Sequence, residues 1–146
     1  MTWLLFLLAL AAGTANPFQS GTNAELNKRL DAPLWTGMIV YASGLAALLI
    51  LQLCLRHPLP TGKFPGIPWW AWTGGVISII PTLIGLAIAQ RMGSGLFTGA
   101  SITAALITSV ALDHFGLVGF RQHTASPARL AGCALMVAGL WMIARF

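Results

Sequence analysis

The chain has 146 residues, of which 57% are hydrophobic and only 8% charged, whereas a soluble domain carries roughly a quarter charged. The net charge is +5 at pH 7, but its Lys and Arg residues stand singly or in the one pair Lys28-Arg29, which argues against a nucleic-acid face and for anchoring among lipid headgroups. Cys54 and Cys133 each lie inside an apolar run without CxxC spacing, so they read as small buried hydrophobes, and neither a metal site nor a redox pair nor a cofactor is expected.

Cutting the chain at every charged residue leaves uncharged runs at 1–24, 32–55, 64–90, 92–112 and 130–144. Four of these reach the roughly 20 residues that a helix needs to cross a bilayer core. The fifth is shorter, but Arg129 and Arg145 flank it and long basic side chains can snorkel to the interface. Five such runs in succession leave almost no polar face for water, which disfavours a soluble helical core protein. The expected fold is an all-α membrane protein of five transmembrane helices forming one domain over 1–146.

Helix 1 is expected at about 2–27. Leu4 to Ala12 followed by Gly13-Thr14-Ala15 also resembles a signal peptide, but the basic n-region is lacking, and the segment reads better as a span. Pro17 removes a backbone donor and predicts a kink at mid-helix. Around it Asn16, Gln19 and Asn23 follow helical spacing and share one face. An amide left unpaired in hydrocarbon costs several kcal/mol, so these three are expected to face protein, water or a ligand, as interhelical glue or as part of a substrate path. Glu25, just beyond, is placed to pair with Lys28 or Arg29.

Helix 2 is expected at about 34–55, after the Asp31-Ala32-Pro33 turn. The loop "RHPLPTGKFPGIP" is too rich in proline and glycine for a helix and delivers the chain to helix 3, about 68–90, with Pro81 at its centre. Gly74, Ser78 and Thr82 form a small-polar stripe there. The short "RMGSG" turn leads to helix 4, about 94–113, in which Ser101, Ala105, Ser109 and Asp113 recur every fourth residue beside Thr108. Such stripes pack helices together, or line a cavity between them. Gly95 and Gly99 make a GxxxG on a neighbouring face that permits close approach of another helix. Helix 5, about 127–145, opens with Ser126 as N-cap and Pro127 at the first helical position.

Trp3, Trp35, Trp69, Trp70 and Trp141 fall at segment ends, as an interfacial belt requires. Trp72 lies a turn deeper, where it either joins the belt or lines a cavity. The pair Asp113-His114 interrupts an apolar stretch at the end of helix 4, where the macrodipole disfavours an anion. His114, Arg121 and His123 are its candidate partners. The pair reads as a structural clamp or as a proton-coupling carboxylate at a vestibule. No nucleophile constellation, metal-ligand cluster or phosphate loop stands in the sequence, so an enzyme is not expected.

With five spans, Arg56, Lys63, Arg121 and Arg129 fall on one side of the membrane and Lys28, Arg29, Arg91 and Arg145 on the other. Orientation normally follows an excess of Lys and Arg on the cytoplasmic side. A tie of this kind predicts insertion both ways up and an antiparallel homodimer that reproduces the inverted repeat of larger transporters.

"LDHFGLVGF" after a small-polar helix, "PWWAWTGG" opening helix 3, and the first-helix pattern Gln19, Asn23, Leu26 resemble the small five-helix YdcZ-type family of the drug/metabolite transporter superfamily, over essentially the whole chain. That resemblance implies a half-transporter unit working as an antiparallel pair. The function expected is a secondary transporter in the bacterial inner (cytoplasmic) membrane, exporting a small organic metabolite or cationic drug. Its substrate path is expected to involve Asn16, Gln19, Asn23, Ser78, Thr82, Ser101, Thr108 and Ser109. A non-transporting membrane assembly subunit or lipid-binding subunit is the competing reading, and the mid-span amides favour transport.

Overall fold

A computed structural model describes residues 2–146. Among these, five α-helices follow one another: α1 (Thr2–Leu30), α2 (Pro33–Leu55), α3 (Gly74–Met92), α4 (Ser94–Phe115) and α5 (Pro127–Arg145). Four helical segments are long and apolar enough to cross a membrane: Pro33–Leu55, Trp69–Met92, Ser94–Phe115 and Pro127–Arg145. The remaining helix, α1, is the longest at 29 residues, about 43 Å at about 1.5 Å per residue. Its second half carries Asn16, Gln19, Asn23 and Asn27, which dilute its hydropathy. It continues unbroken across Pro17.

The helix boundaries follow local chemistry. Proline occupies the first position of α2 and of α5, where a missing N–H costs nothing. Ser126 caps α5 by accepting the Arg129 N–H at 3.3 Å. Helix α4 ends on Gly116, which takes the left-handed conformation at φ 61° and returns its N–H to the last turn. Ahead of α3 the chain enters through a tighter 3-10 stretch, Trp69–Thr73, so regular α-helix starts at Gly74 rather than at Pro68. Proline at 68 holds an extended conformation, φ -64° and ψ 144°, and the Ala71 N–H bonds back to the Pro68 carbonyl at 3.0 Å, closing the first turn early.

The chain forms two compact units, one comprising 1–17 and 91–146, the other 18–90. In the first, α4 packs on α5. Gly99 permits this contact, since a Cβ there would sit 3.3 Å from Leu140 Cδ1, whereas a Cβ on Gly95 would meet nothing within 4 Å. Only one glycine of the expected GxxxG is therefore used within the chain.

In the second unit, Asn27 joins three helices. Its Nδ2 donates to the Leu86 carbonyl of α3 at 3.1 Å, and its Oδ1 accepts from the Thr36 hydroxyl of α2 at 3.2 Å. Thr36 is wholly buried, and its hydroxyl also reaches the Ala32 carbonyl at 3.0 Å. Gly37 beside it lies against Leu83, whose Cδ2 would be 3.5 Å from an added Cβ.

Little else is enclosed. Among the described residues, Ala24, Leu86 and Ala89 are the buried hydrophobic positions, while large apolar side chains are exposed along every helix. Water would penalise such a surface at about 25 cal/mol per Å² of apolar area; lipid does not.

Candidate functional site

Within the second unit, a half-open cavity of about 520 Å³ lies between α2 and α3, walled by Leu34, Gly37, Met38, Tyr41, Ile79 and Leu83. That volume falls in the range of small-molecule sites. Its walls are almost wholly apolar, and Tyr41 is the lining residue whose side chain carries a polar atom. Tyr41 Oη lies 2.9 Å from Ser78 Oγ and 2.9 Å from Thr82 Oγ1. The two α3 hydroxyls are in turn anchored to their own helix: Ser78 donates to the Gly75 carbonyl at 2.7 Å and Thr82 to the Ser78 carbonyl at 2.9 Å. Helical spacing of four residues stacks Ser78 above Thr82 on one face of α3, where the single phenol of α2 meets both.

A second polar cluster ties α4 to α5 in the first unit. Arg129 donates from one guanidinium nitrogen to Asp113 Oδ2 at 3.2 Å and from another to the His123 carbonyl at 3.3 Å. The Asp113 carbonyl accepts the His123 N–H at 2.8 Å. His114 Nδ1 accepts the Ala125 N–H at 3.1 Å, and the His114 carbonyl accepts from the Gln122 side chain at 3.0 Å. An acceptor at Nδ1 places the proton of the neutral ring on Nε2. Asp113 sits at the C-terminal end of α4 and Arg129 near the N-terminal end of α5, each where its own macrodipole repels it. Joined, the two charges compensate one another.

Residues 4–142 match the family described as "Putative inner membrane exporter, YdcZ". The chain belongs to this family. No curated protein and no solved structure matches it. This YdcZ-family chain is thus a multi-pass inner-membrane protein, in keeping with its four membrane-length apolar helices.

Of the residues named from the sequence, the fold of this YdcZ-family chain brings Ser78 and Thr82 into one cluster. The side chains of Asn16, Gln19, Asn23, Ser101, Thr108 and Ser109 make no such cluster: among the described residues none of them forms a side-chain hydrogen bond, and all but the half-buried Asn23 are exposed. Glu25 pairs with Arg29 at 2.8 Å. The partner of Asp113 is Arg129 rather than the side chain of His114, Arg121 or His123. Arg129 lies in the first turn of α5, and the turn between α4 and α5 folds back far enough to deliver it to Asp113. Trp72 stacks on Phe64, ring centroids 6.1 Å apart, and does not wall the cavity.

Sequence reasoning missed Tyr41 and Asn27. A signal for the first existed: Tyr41 is the chain's single tyrosine and stands well inside an apolar helix, whereas five of the six tryptophans mark segment ends. A mid-span phenol needs a hydrogen-bond partner. For Asn27, proximity to Lys28 and Arg29 masked an amide that works inward.

Proposed function

We propose that the chain is a secondary transporter exporting a small organic metabolite or cationic drug, and that it works as a dual-topology, antiparallel homodimer of five-span units. Family membership over residues 4–142 carries this reading, and the cavity beside a hydroxyl cluster supports it. Helix α1 serves as the fifth span, since its 29 residues exceed what a bilayer core needs. The exposed amides of Asn16 and Gln19, together with Asn23, supply one wall of the substrate path. Ser78 and Thr82 supply another, with Ser101, Thr108 and Ser109 on α4 offering further hydroxyls. Side chains of this kind, left open toward lipid, cost several kcal/mol each. A second subunit, water or the substrate relieves that cost. Asp113 and His114 act as a clamp between α4 and α5, a role supported by the Arg129 pairing.

The test is flux. Purified protein in liposomes, screened against organic cations and small metabolites with and without a pH gradient, is expected to move at least one class of compound. With such a substrate in hand, Gln19→Leu should abolish or strongly reduce transport while leaving the dimer intact, because lost pairing at a polar site costs about 1–3 kcal/mol, roughly five- to a hundredfold in affinity. No flux under any condition favours a non-transporting assembly or lipid-binding subunit. Normal flux by Gln19→Leu removes α1 from the path.

A further inference from the structure

The hydroxyl cluster can be read proton by proton. Three hydroxyls meet in it, those of Tyr41, Ser78 and Thr82, and each has one proton to give. Ser78 spends its proton on the Gly75 carbonyl and Thr82 spends its own on the Ser78 carbonyl, since a carbonyl can only accept. Two further contacts remain, from Tyr41 Oη to each α3 hydroxyl, and the phenol proton can fill one of them. The cluster is therefore one proton short. Offering the phenol proton to anything in the cavity would leave both contacts of Tyr41 Oη without a proton unless an α3 hydroxyl turned away from its carbonyl.

Tyr41 is one of the residues that line the cavity, whereas Ser78 and Thr82 are not and each holds the phenol oxygen at 2.9 Å. With its proton turned to Ser78 or Thr82, the phenol oxygen keeps lone pairs and no proton for a ligand in the cavity. We infer that this cavity binds an amphiphile whose apolar body lies against Met38, Ile79 and Leu83 and whose polar end is a hydrogen-bond donor, an ammonium or other N–H group, accepted by Tyr41 Oη. Compounds whose polar end can only accept are turned away, because they would face lone pairs across an apolar wall. The inference deepens the transporter reading and rests on it for what the site serves. It assigns Tyr41 as the residue that selects polarity.

The experiment uses full-length protein in lipid nanodiscs and fluorescent probes of common body: 2-(2-naphthyl)ethylammonium, its N,N,N-trimethyl analogue, and the acceptor-only N,N-dimethyl-3-(2-naphthyl)propanamide. Empty nanodiscs give the lipid-partition background. The parent protein should bind the N–H-bearing ammonium saturably and about tenfold more tightly than the trimethyl analogue, the ratio expected from one charge-assisted hydrogen bond. Tyr41→Phe should bring that ratio to about one. The double variant S78A/T82A, which leaves the phenol proton free, should gain binding of the tertiary amide that the parent rejects. This gain keeps the proposal testable should Tyr41→Phe fold poorly. Ile79→Trp, which fills the cavity, should lose both ammonium probes.

Equal binding of the two ammonium probes by the parent overturns the inference, as does a preference that survives Tyr41→Phe and so reflects bulk alone. Binding no greater than to empty nanodiscs overturns it too. If Ile79→Trp dissociates a dimer instead of excluding the probes, the cavity is a contact between copies and the inference is wrong. Binding that follows the expected pattern in protein that moves none of these compounds in liposomes would defeat the transporter reading and leave the site standing.

Discussion

Asp113 shows how a single residue can be legible in kind and misread in partner. Its position at the end of α4 announces an anion in need of compensation. Which cation answers depends on how the α4–α5 turn folds, and the answer is Arg129, sixteen residues away. The pair is partly exposed, with Arg129 at 41% and Asp113 at 24% side-chain accessibility, so its strength belongs with interfacial ion pairs at about 0.2–1 kcal/mol. Asp113→Asn and Arg129→Gln should each lower the unfolding midpoint in detergent. Combined, they should cost less than the sum, by about 0.5–1 kcal/mol, because each alone leaves a charge at the wrong end of a helix. Strict additivity in this double-mutant cycle would show that the contact contributes nothing. Tyr41, Ser78 and Thr82 repeat the lesson. The α3 hydroxyls stood out by their spacing, but the residue that meets both lies on another helix, and pairing across helices is not encoded in a one-dimensional period.

Helices were the most legible level, because uncharged runs of bilayer length and proline at N1 each act through nearest neighbours. The loops were not, since their backbone is dictated by what they connect. The α4–α5 turn contains the sharpest example: Val118 holds φ 54°, a left-handed conformation that costs a β-branched residue about 1–2 kcal/mol or more. The residue is 61% exposed, so little packing repays that strain. Val118→Gly should therefore raise the unfolding midpoint, with a net gain of about 1 kcal/mol. Gly116→Ala, two residues earlier, should do the reverse. It forces a Cβ onto φ 61° and to within 3.3 Å of Gln122 Cβ, a loss of about 1 kcal/mol or more. Thermal unfolding followed by tryptophan fluorescence measures both, and a stabilising Gly116→Ala would mean that this turn does not hold the conformation described.

At the scale of the whole molecule, the many exposed apolar side chains and the few buried ones among the described residues are what a membrane protein presents, since helix association in lipid rests on packing and polar contacts rather than on burial from water. Membrane character was legible from composition alone. The proposed partner arrangement rests on charge: in a five-span chain, four basic residues on each side would leave no preferred orientation. On this account one chain supplies both halves of an inverted pair. The most direct test is to fuse reporters at Phe146, one active only in the cytoplasm and one only outside it. Activity from both reporters in comparable amounts is the predicted result, shifting to one side when a single Lys is added to or removed from a terminal loop. A reporter confined to one side, and unmoved by such charge changes, would contradict the antiparallel homodimer.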